Sequence, residues 1–304
     1  MRHKLNKELV EGNFGHGAIK NKIDLRDRKW KKVAKVSIPF DWTVGYDIEK
    51  ELSKFLNAPN FRIPAKNQNG SFSCVGQAGA YYEAVQDAYE TGVFTEKSGR
   101  DIYSQIFYPG GGSSTRDALN HLIKKGVCKE SSLTSYQNGK PPKEPFMTQR
   151  TDATPQTVAE ALKAKGTAYA DVGINIDEFA EAIRDNHGLI FTINGANNGT
   201  WMSKFPKPPK KIVWGHELYA GKAKTIDGKK YIGVINSWGN GAGEFGWQWI
   251  GEEYFTKRFI HSAGVIYDTE IDHLKAQKNL LERILELLQK ILSYSQVAPN
   301  LINS

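Results

Sequence analysis

The chain has 304 residues, 39% of them hydrophobic, a net charge of +8 and only two cysteines, Cys74 and Cys128. A core of about 200–250 residues can bury enough apolar surface to fold without covalent staples, and two cysteines exclude a disulfide-dense scaffold. No apolar run approaches the length of a membrane span, and the opening Met1 to Glu8 lacks the apolar stretch of a secretory signal.

Residues 1–37 read as an extended basic lead-in. Lys20, Lys22, Arg26, Arg28, Lys29, Lys31, Lys32 and Lys35 crowd residues 20–35 against only Asp24 and Asp27. Such an arm can meet an anionic surface. A solvated segment lying over the domain is the stronger expectation, because few aromatics interleave with the charges.

The globular part begins at Ile38-Pro39-Phe40-Asp41-Trp42 and is expected to run to residue 268. Ile48, Leu52, Phe55 and Leu56 have helical spacing and predict a helix from Asp47 to Leu56. After Cys74, an alanine-rich stretch free of proline until Gly92 predicts a long buried helix with Cys74 in its first turn. Further helices are predicted over 114–125, 154–165 and 176–185. The second half turns to strands at 188–193, 214–223, 230–236 and 246–250. Phe205 to Lys211, rich in proline and lysine, reads as an exposed stiff loop. Helices first and strands later predict an α+β chain of two lobes.

Residues 269–304 form a separate tail. Leu274, Leu281 and Leu288 repeat every seven residues, flanked by Ile284 and Ile291. This predicts an amphipathic helix of roughly 35 Å over residues 271–294. Its apolar stripe is expected to pack on the domain, to self-associate as a homo-oligomer, or to bind a particle partner.

The chemistry centres on Cys74. Nucleophilic catalysis requires a thiolate, an adjacent base, a group that orients the base, and donors aimed at the developing oxyanion. Cys74, His216, Asn236 and Gln68 supply one candidate for each. A helix N-terminus at Cys74 would favour the thiolate. The remaining histidines have no paired spacing, so neither a metal site nor any other cofactor is expected. Cys128, at a predicted helix end, reads as a small packed residue.

These residues resemble the papain-like cysteine peptidases. The likeness rests on Gln68-Asn69-Gly70-Ser71-Phe72-Ser73-Cys74, on Gly215-His216, and on Asn236-Ser237-Trp238-Gly239 with Gly246-Trp247 beyond it. His216 lies 142 residues after Cys74, within the family spacing of roughly 130–150. Asn236 lies 162 residues after it, and a loop from Gly221 to Lys229 would account for the excess. The resemblance spans about residues 38–268. It implies a helical lobe followed by an antiparallel, β-barrel-like lobe. It also implies a Cys74–His216 thiolate–imidazolium pair, an Asn236 carbonyl that holds the ring, and an oxyanion hole from the Cys74 N–H and the Gln68 amide. The backbone of Gly111 and Gly112 would bind substrate, and Trp238 would line the site and shield the His–Asn contact.

The departures carry information. Ser71 and Val75 stand where the family usually has a cysteine and an aromatic. The chain therefore resembles a divergent bacterial or phage-type member without the usual disulfides, made in a reducing compartment. A cytoplasmic or virion-associated location is expected. Glu217 stands where a small residue is usual. Residues 1–37 are too short for the family's usual inhibitory propeptide, so no large pro-domain is expected, although a short lead-in can still cover the cleft.

The expected function is a cysteine peptidase that cleaves peptide or protein substrates through a thioester. A peptidoglycan hydrolase using the same residues is the first alternative. A catalytically silent binding protein on the same fold is the second.

Overall fold

The computed structural model describes residues 17–21, 24, 27–34 and 38–267. Two short elements lead in, α1 (Trp30–Val33) and β1 (Tyr46–Asp47), followed by α2 (Ile48–Phe55). The helical half contains α3 (Cys74–Thr91), α4 (Gly99–Ile106), α5 (Thr115–Lys124), α6 (Glu144–Met147) and α7 (Pro155–Lys163). Then come β2 (Ala168–Asp171), α8 (Ile176–Asp185), β3 (Leu189–Gly195), β4 (Trp214–Ile226), β5 (Lys229–Ile235), β6 (Trp247–Gly251) and β7 (Ile260–Tyr267). The chain divides after Ile266 into two compact units, and the described lead-in residues lie in the first.

The long helix α3 organises this unit. Its first twelve residues, Cys74 to Val85, are all buried, Gln77 and Glu83 among them, so the helix is enclosed on every side. Gly92 ends it in the left-handed conformation, with φ of 74° and its N–H on the Ala88 carbonyl. It packs against α4, α5 and β4. Ser114 caps α5 through the Asp117 N–H, which satisfies one of the helix's orphan donors.

The strands run in the order β2-β7-β3-β4-β5-β6, with β1 added to β4. The β3, β4, β5, β6 and β7 pairings are antiparallel. The mixture of helices and antiparallel sheet is as expected. The barrel-like closure is not: the path through the described strands is open. The proposed loop from Gly221 to Lys229 is also replaced. There β4 and β5 extend into a hairpin closed by Asp227 and Gly228, with φ of 49° and 75°. Positive φ at both turn residues is the geometry whose twist matches paired strands, and Asp-Gly is its signature. Phe205 to Lys211 is irregular, but Pro206 and Pro209 are buried rather than exposed.

Parts of the lead-in are tied to the domain. Trp30 is 2% exposed. The Asp171 N–H donates to the Arg28 carbonyl at 2.7 Å, and Lys29 meets Asp171 at 2.8 Å. Asp27 pairs with Arg116 and accepts from Tyr169. Lys31 faces Glu178 and Glu181. Several arm charges thus meet acids of this same chain. Lys22, Arg26 and Lys35 lie outside the described residues, as does the predicted helix over 271–294 with its partner expectations.

Candidate active site

Cys74 is the first residue of α3, where backbone N–H groups have no partner within the helix. The loop before it is held by hydroxyls. Ser71 Oγ donates to the Gln68 carbonyl at 2.7 Å and lies 2.7 Å from Ser73 Oγ. Gln68 is fully buried. Its Nε2 donates to the Ser71 carbonyl at 2.9 Å, and its Oε1 accepts from Ser237 Oγ at 2.5 Å. The glutamine is therefore clamped between the nucleophile loop and the Asn-Ser-Trp-Gly segment.

His216 and Asn236 lie side by side. His216 Nε2 and Asn236 Oδ1 are 2.9 Å apart. Asn236 Nδ2 donates to Gln248 Oε1 at 2.8 Å, and Gln248 Nε2 donates to the Trp201 and Ser203 carbonyls. This chain fixes which face of the amide meets the ring. Trp238 lies 4.8 Å from the His216 ring, centroid to centroid, and Trp214 at 6.2 Å. At 2% exposure, Trp238 presents little surface to a substrate. The Glu217 backbone N–H is near enough to the Cys74 sulfur to favour its charged form, and the helix that Cys74 opens packs against the strand that carries His216.

The glycine strip needs correction. Gly110, Gly111 and Gly112 have φ of 97°, 94° and 84°, open to glycine at little cost. Yet Gly111 N donates to the Tyr108 carbonyl, Gly112 N to Tyr103 Oη, and the Gly112 carbonyl accepts from Tyr108 N. The strip's own hydrogen bonds occupy these groups, so Gly111 and Gly112 do not offer them to a ligand. Tyr103 Oη in turn donates to Glu144 Oε1 at 2.6 Å, and Glu144 Oε2 accepts from Phe72 N at 2.6 Å.

The next residue, Ser113, is the one that pairs outward, and its partner is the lead-in. Ser113 N donates to the Gly17 carbonyl at 2.8 Å, and Ile19 N donates to the Ser113 carbonyl at 2.7 Å. On the other side, Ala18 N donates to the Gly215 carbonyl at 3.2 Å. The Gly17 N–H is near enough to the Cys74 sulfur to favour its charged form. A three-residue strap therefore lies between the helical wall and the His216 strand, beside Cys74. A Cβ on Gly17 would stand 1.9 Å from the Phe72 carbonyl oxygen, so only glycine fits there.

Burial sets the charge state of the covered pair. It pushes the Cys74 thiol up to about 12, against the Glu217, Gly17 and Val75 N–H groups that pull it down. It pushes His216 down to about 4, opposed by the Asn236 bond. Burial under the strap thus favours the neutral thiol and the neutral imidazole over their ions.

Cys128 is buried against Leu133 and Ala161, and burial raises its thiol. Both cysteines are free. Among the described residues there is no cluster of three or more metal-ligating side chains, and no helix is long and apolar enough to cross a membrane. Sequence reasoning missed Ser113, Gln248 and the strap, which act through backbone or through contacts distant in sequence. It singled out Glu217 without placing its side chain.

No protein-family model matches the chain, and no curated protein does. Solved structures do. Xylellain, a cysteine protease from Xylella fastidiosa, superposes with a TM-score of 0.66 at 22% identity, covering 85% of this chain and 97% of that one. Procathepsin B S9 from Trypanosoma congolense gives 0.62 at 14%, covering 84% and 86%. Bromelain from Ananas comosus, in complex with the E64 inhibitor, gives 0.55 at 19%, covering 73% and 97%. The chain has a papain-like fold.

Proposed function

We propose that the chain is a cysteine peptidase that cleaves peptide bonds through a thioester on Cys74. One observation carries the reading: His216, on the strand packed against the helix that Cys74 opens, has its Nε2 2.9 Å from Asn236 Oδ1. His216 takes the thiol proton at Nδ1. The thiolate adds to the substrate carbonyl carbon, and the resulting oxyanion is met by the Cys74 N–H and the Gln68 amide. His216 returns the proton to the leaving amine as the C–N bond breaks. Water, deprotonated by the same imidazole, then cleaves the thioester and restores the thiol. Asn236 holds the ring, and Trp201, Trp214 and Trp238 keep water from that contact. Substrate backbone pairs with Ser113 and Gly215, where the strap now pairs.

The strap blocks this reaction until it is displaced. Full-length wild type and Gly17→Leu separate the possibilities, because the added side chain cannot occupy the space at the Phe72 carbonyl. At neutral pH, iodoacetamide is expected to alkylate Cys74 at least about 10-fold faster in the variant, in proportion to the open fraction. The variant should digest casein, and the same chain with Cys74→Ala should not. Equal alkylation rates would remove the blocking role. Digestion of purified cell wall but not casein would favour a peptidoglycan hydrolase. Alkylation without digestion of either would point to a silent scaffold.

A further inference from the structure

Four polar side chains from four elements converge behind the strap. Thr192 of β3 lies opposite Glu217 of β4 and opposite Ser262 of β7, so the three stand in a row across the sheet. Thr115, the first residue of α5, closes the group from above. Glu217 Oε2 accepts from Thr192 Oγ1 at 2.5 Å and from Thr115 Oγ1 at 3.0 Å, and Ser262 Oγ lies 2.9–3.0 Å from both threonines. Glu217 is 1% exposed, yet its Oε1 has no hydrogen-bond partner among the described residues. Buried carboxyl oxygens are rarely left so.

The face that carries the Glu217 side chain follows from strand geometry. Alternate residues of a strand share a face, so Glu217 shares one with Gly215. A Cβ on Gly215 would stand 2.5 Å from the Ala18 carbonyl oxygen, so this is the face toward the strap. Ala18 itself packs inward on the core cluster that contains Cys74. Glu217 lies one pleat beyond Gly215, about 6–7 Å along the strand. Its other ligand, Thr115, lies two residues past Ser113, the strap's partner. Ala18, paired with Ser113 and Gly215, is thus a short side chain on the side of the strand that carries the Glu217 carboxyl group, and its place is the candidate side-chain site.

We propose that Glu217 is the specificity-determining residue of this side-chain site, selecting substrates with lysine or arginine in the place that Ala18 occupies. The inference rests on the peptidase reading above. A lysine stem reaches about 6 Å from its Cα, which suits one pleat. The surrounding hydroxyls each carry one proton, and no cation bonds to Glu217 among the described residues. Burial pushes the acid up to about 8 while the site is covered. An entering ammonium or guanidinium restores the carboxylate and forms a charge-assisted bond at Oε1. A leucine in that place would leave the acid buried and unpaired, which is how polar sites reject apolar analogues.

The test uses the full chain carrying Gly17→Leu and fluorogenic peptides with Lys, Arg, Gln, Leu or Phe at each position before the scissile bond. At one position, Lys and Arg are expected to exceed Leu by about 10–100-fold in kcat/KM. Adding Glu217→Gln should collapse that ratio toward one. Adding Glu217→Asp, with its shorter side chain, should shift the preference from Lys to Arg. Cleavage with Leu, Phe or Gln preferred at every position would overturn the inference and leave the peptidase reading intact, whether or not the variants fold. Retained cationic preference in Glu217→Gln would also overturn it. A chain whose Cys74 is alkylated but which cleaves no peptide would sink the peptidase reading, and this inference with it.

Discussion

His216 and Glu217 are neighbours on β4, pointing to opposite faces of one strand, and the two faces are finished differently. On the His216 face, each polar group leads to another: imidazole to Asn236, Asn236 to Gln248, Gln248 to main-chain carbonyls, with tryptophans around them. On the Glu217 face, hydroxyls crowd one carboxyl oxygen and leave the other unfilled. The same burial acts on both, pushing the base down to about 4 and the acid up to about 8. A closed network serves to hold a group in one orientation. An open one is suited to receive something.

The largest expected break lies on the closed face. In the Gly17→Leu chain, His216→Ala should lower kcat for peptide cleavage by about 1000-fold or more, since the proposed reaction passes every proton through this imidazole. A loss of only a few-fold would remove His216 from proton transfer. Asn236→Ala should cost less, about 10–100-fold in kcat, with about 1–3 kcal/mol of stability lost because it strands both the ring nitrogen and Gln248 Oε1. Steady-state kinetics and denaturant titration separate the two effects.

On the open face the expected signature is a pH dependence. The folded state holds the Glu217 proton up to about pH 8, while an unfolded chain releases it near the ordinary 4.5. Folded protein binds the extra proton between those limits, so this acid costs stability as pH rises from about 4.5 to 8. Glu217→Gln removes that cost. Its thermal midpoint relative to wild type should therefore climb from pH 5 to pH 8, and a difference that is flat or falls would contradict the burial. The smallest effect is expected away from both faces. Ser71→Ala loses one hydroxyl latch on the nucleophile loop. It should cost about 1 kcal/mol, read as a small drop in thermal midpoint.

The sequence made some of this architecture plain and hid the rest for identifiable reasons. The helix behind Cys74 was readable because its composition is uniform and Gly92 stops it; α8 was readable from strong amphipathic spacing. The helix α4 escaped because it is only eight residues long and begins with glycine. The strand β7 escaped too, although Ile260 to Tyr267 is largely apolar. Cys74, His216, Asn236 and Gln68 were nameable because side-chain identity carries their chemistry. Ser113 was not, since it pairs through backbone that any residue possesses. Gly17 was invisible because its importance is a missing Cβ facing a carbonyl 55 residues away in sequence. The Asp227-Gly228 pair is itself a hairpin signal, and it accounts for the extra length between His216 and Asn236 that a loop would otherwise explain.

Glu144 touches neither the thiol nor the strap, yet its two oxygens reach both the loop that presents the nucleophile, through Phe72 N, and the glycine strip, through Tyr103 and Gly112 N. One carboxylate thus works as a spacer bolt between two parts that must keep a fixed gap. Backbone on either side cannot drift without pulling the other with it. Two parts of the helical wall are thus tied through one side chain, and replacing Glu144 would release the loop before Cys74 and the glycine strip together.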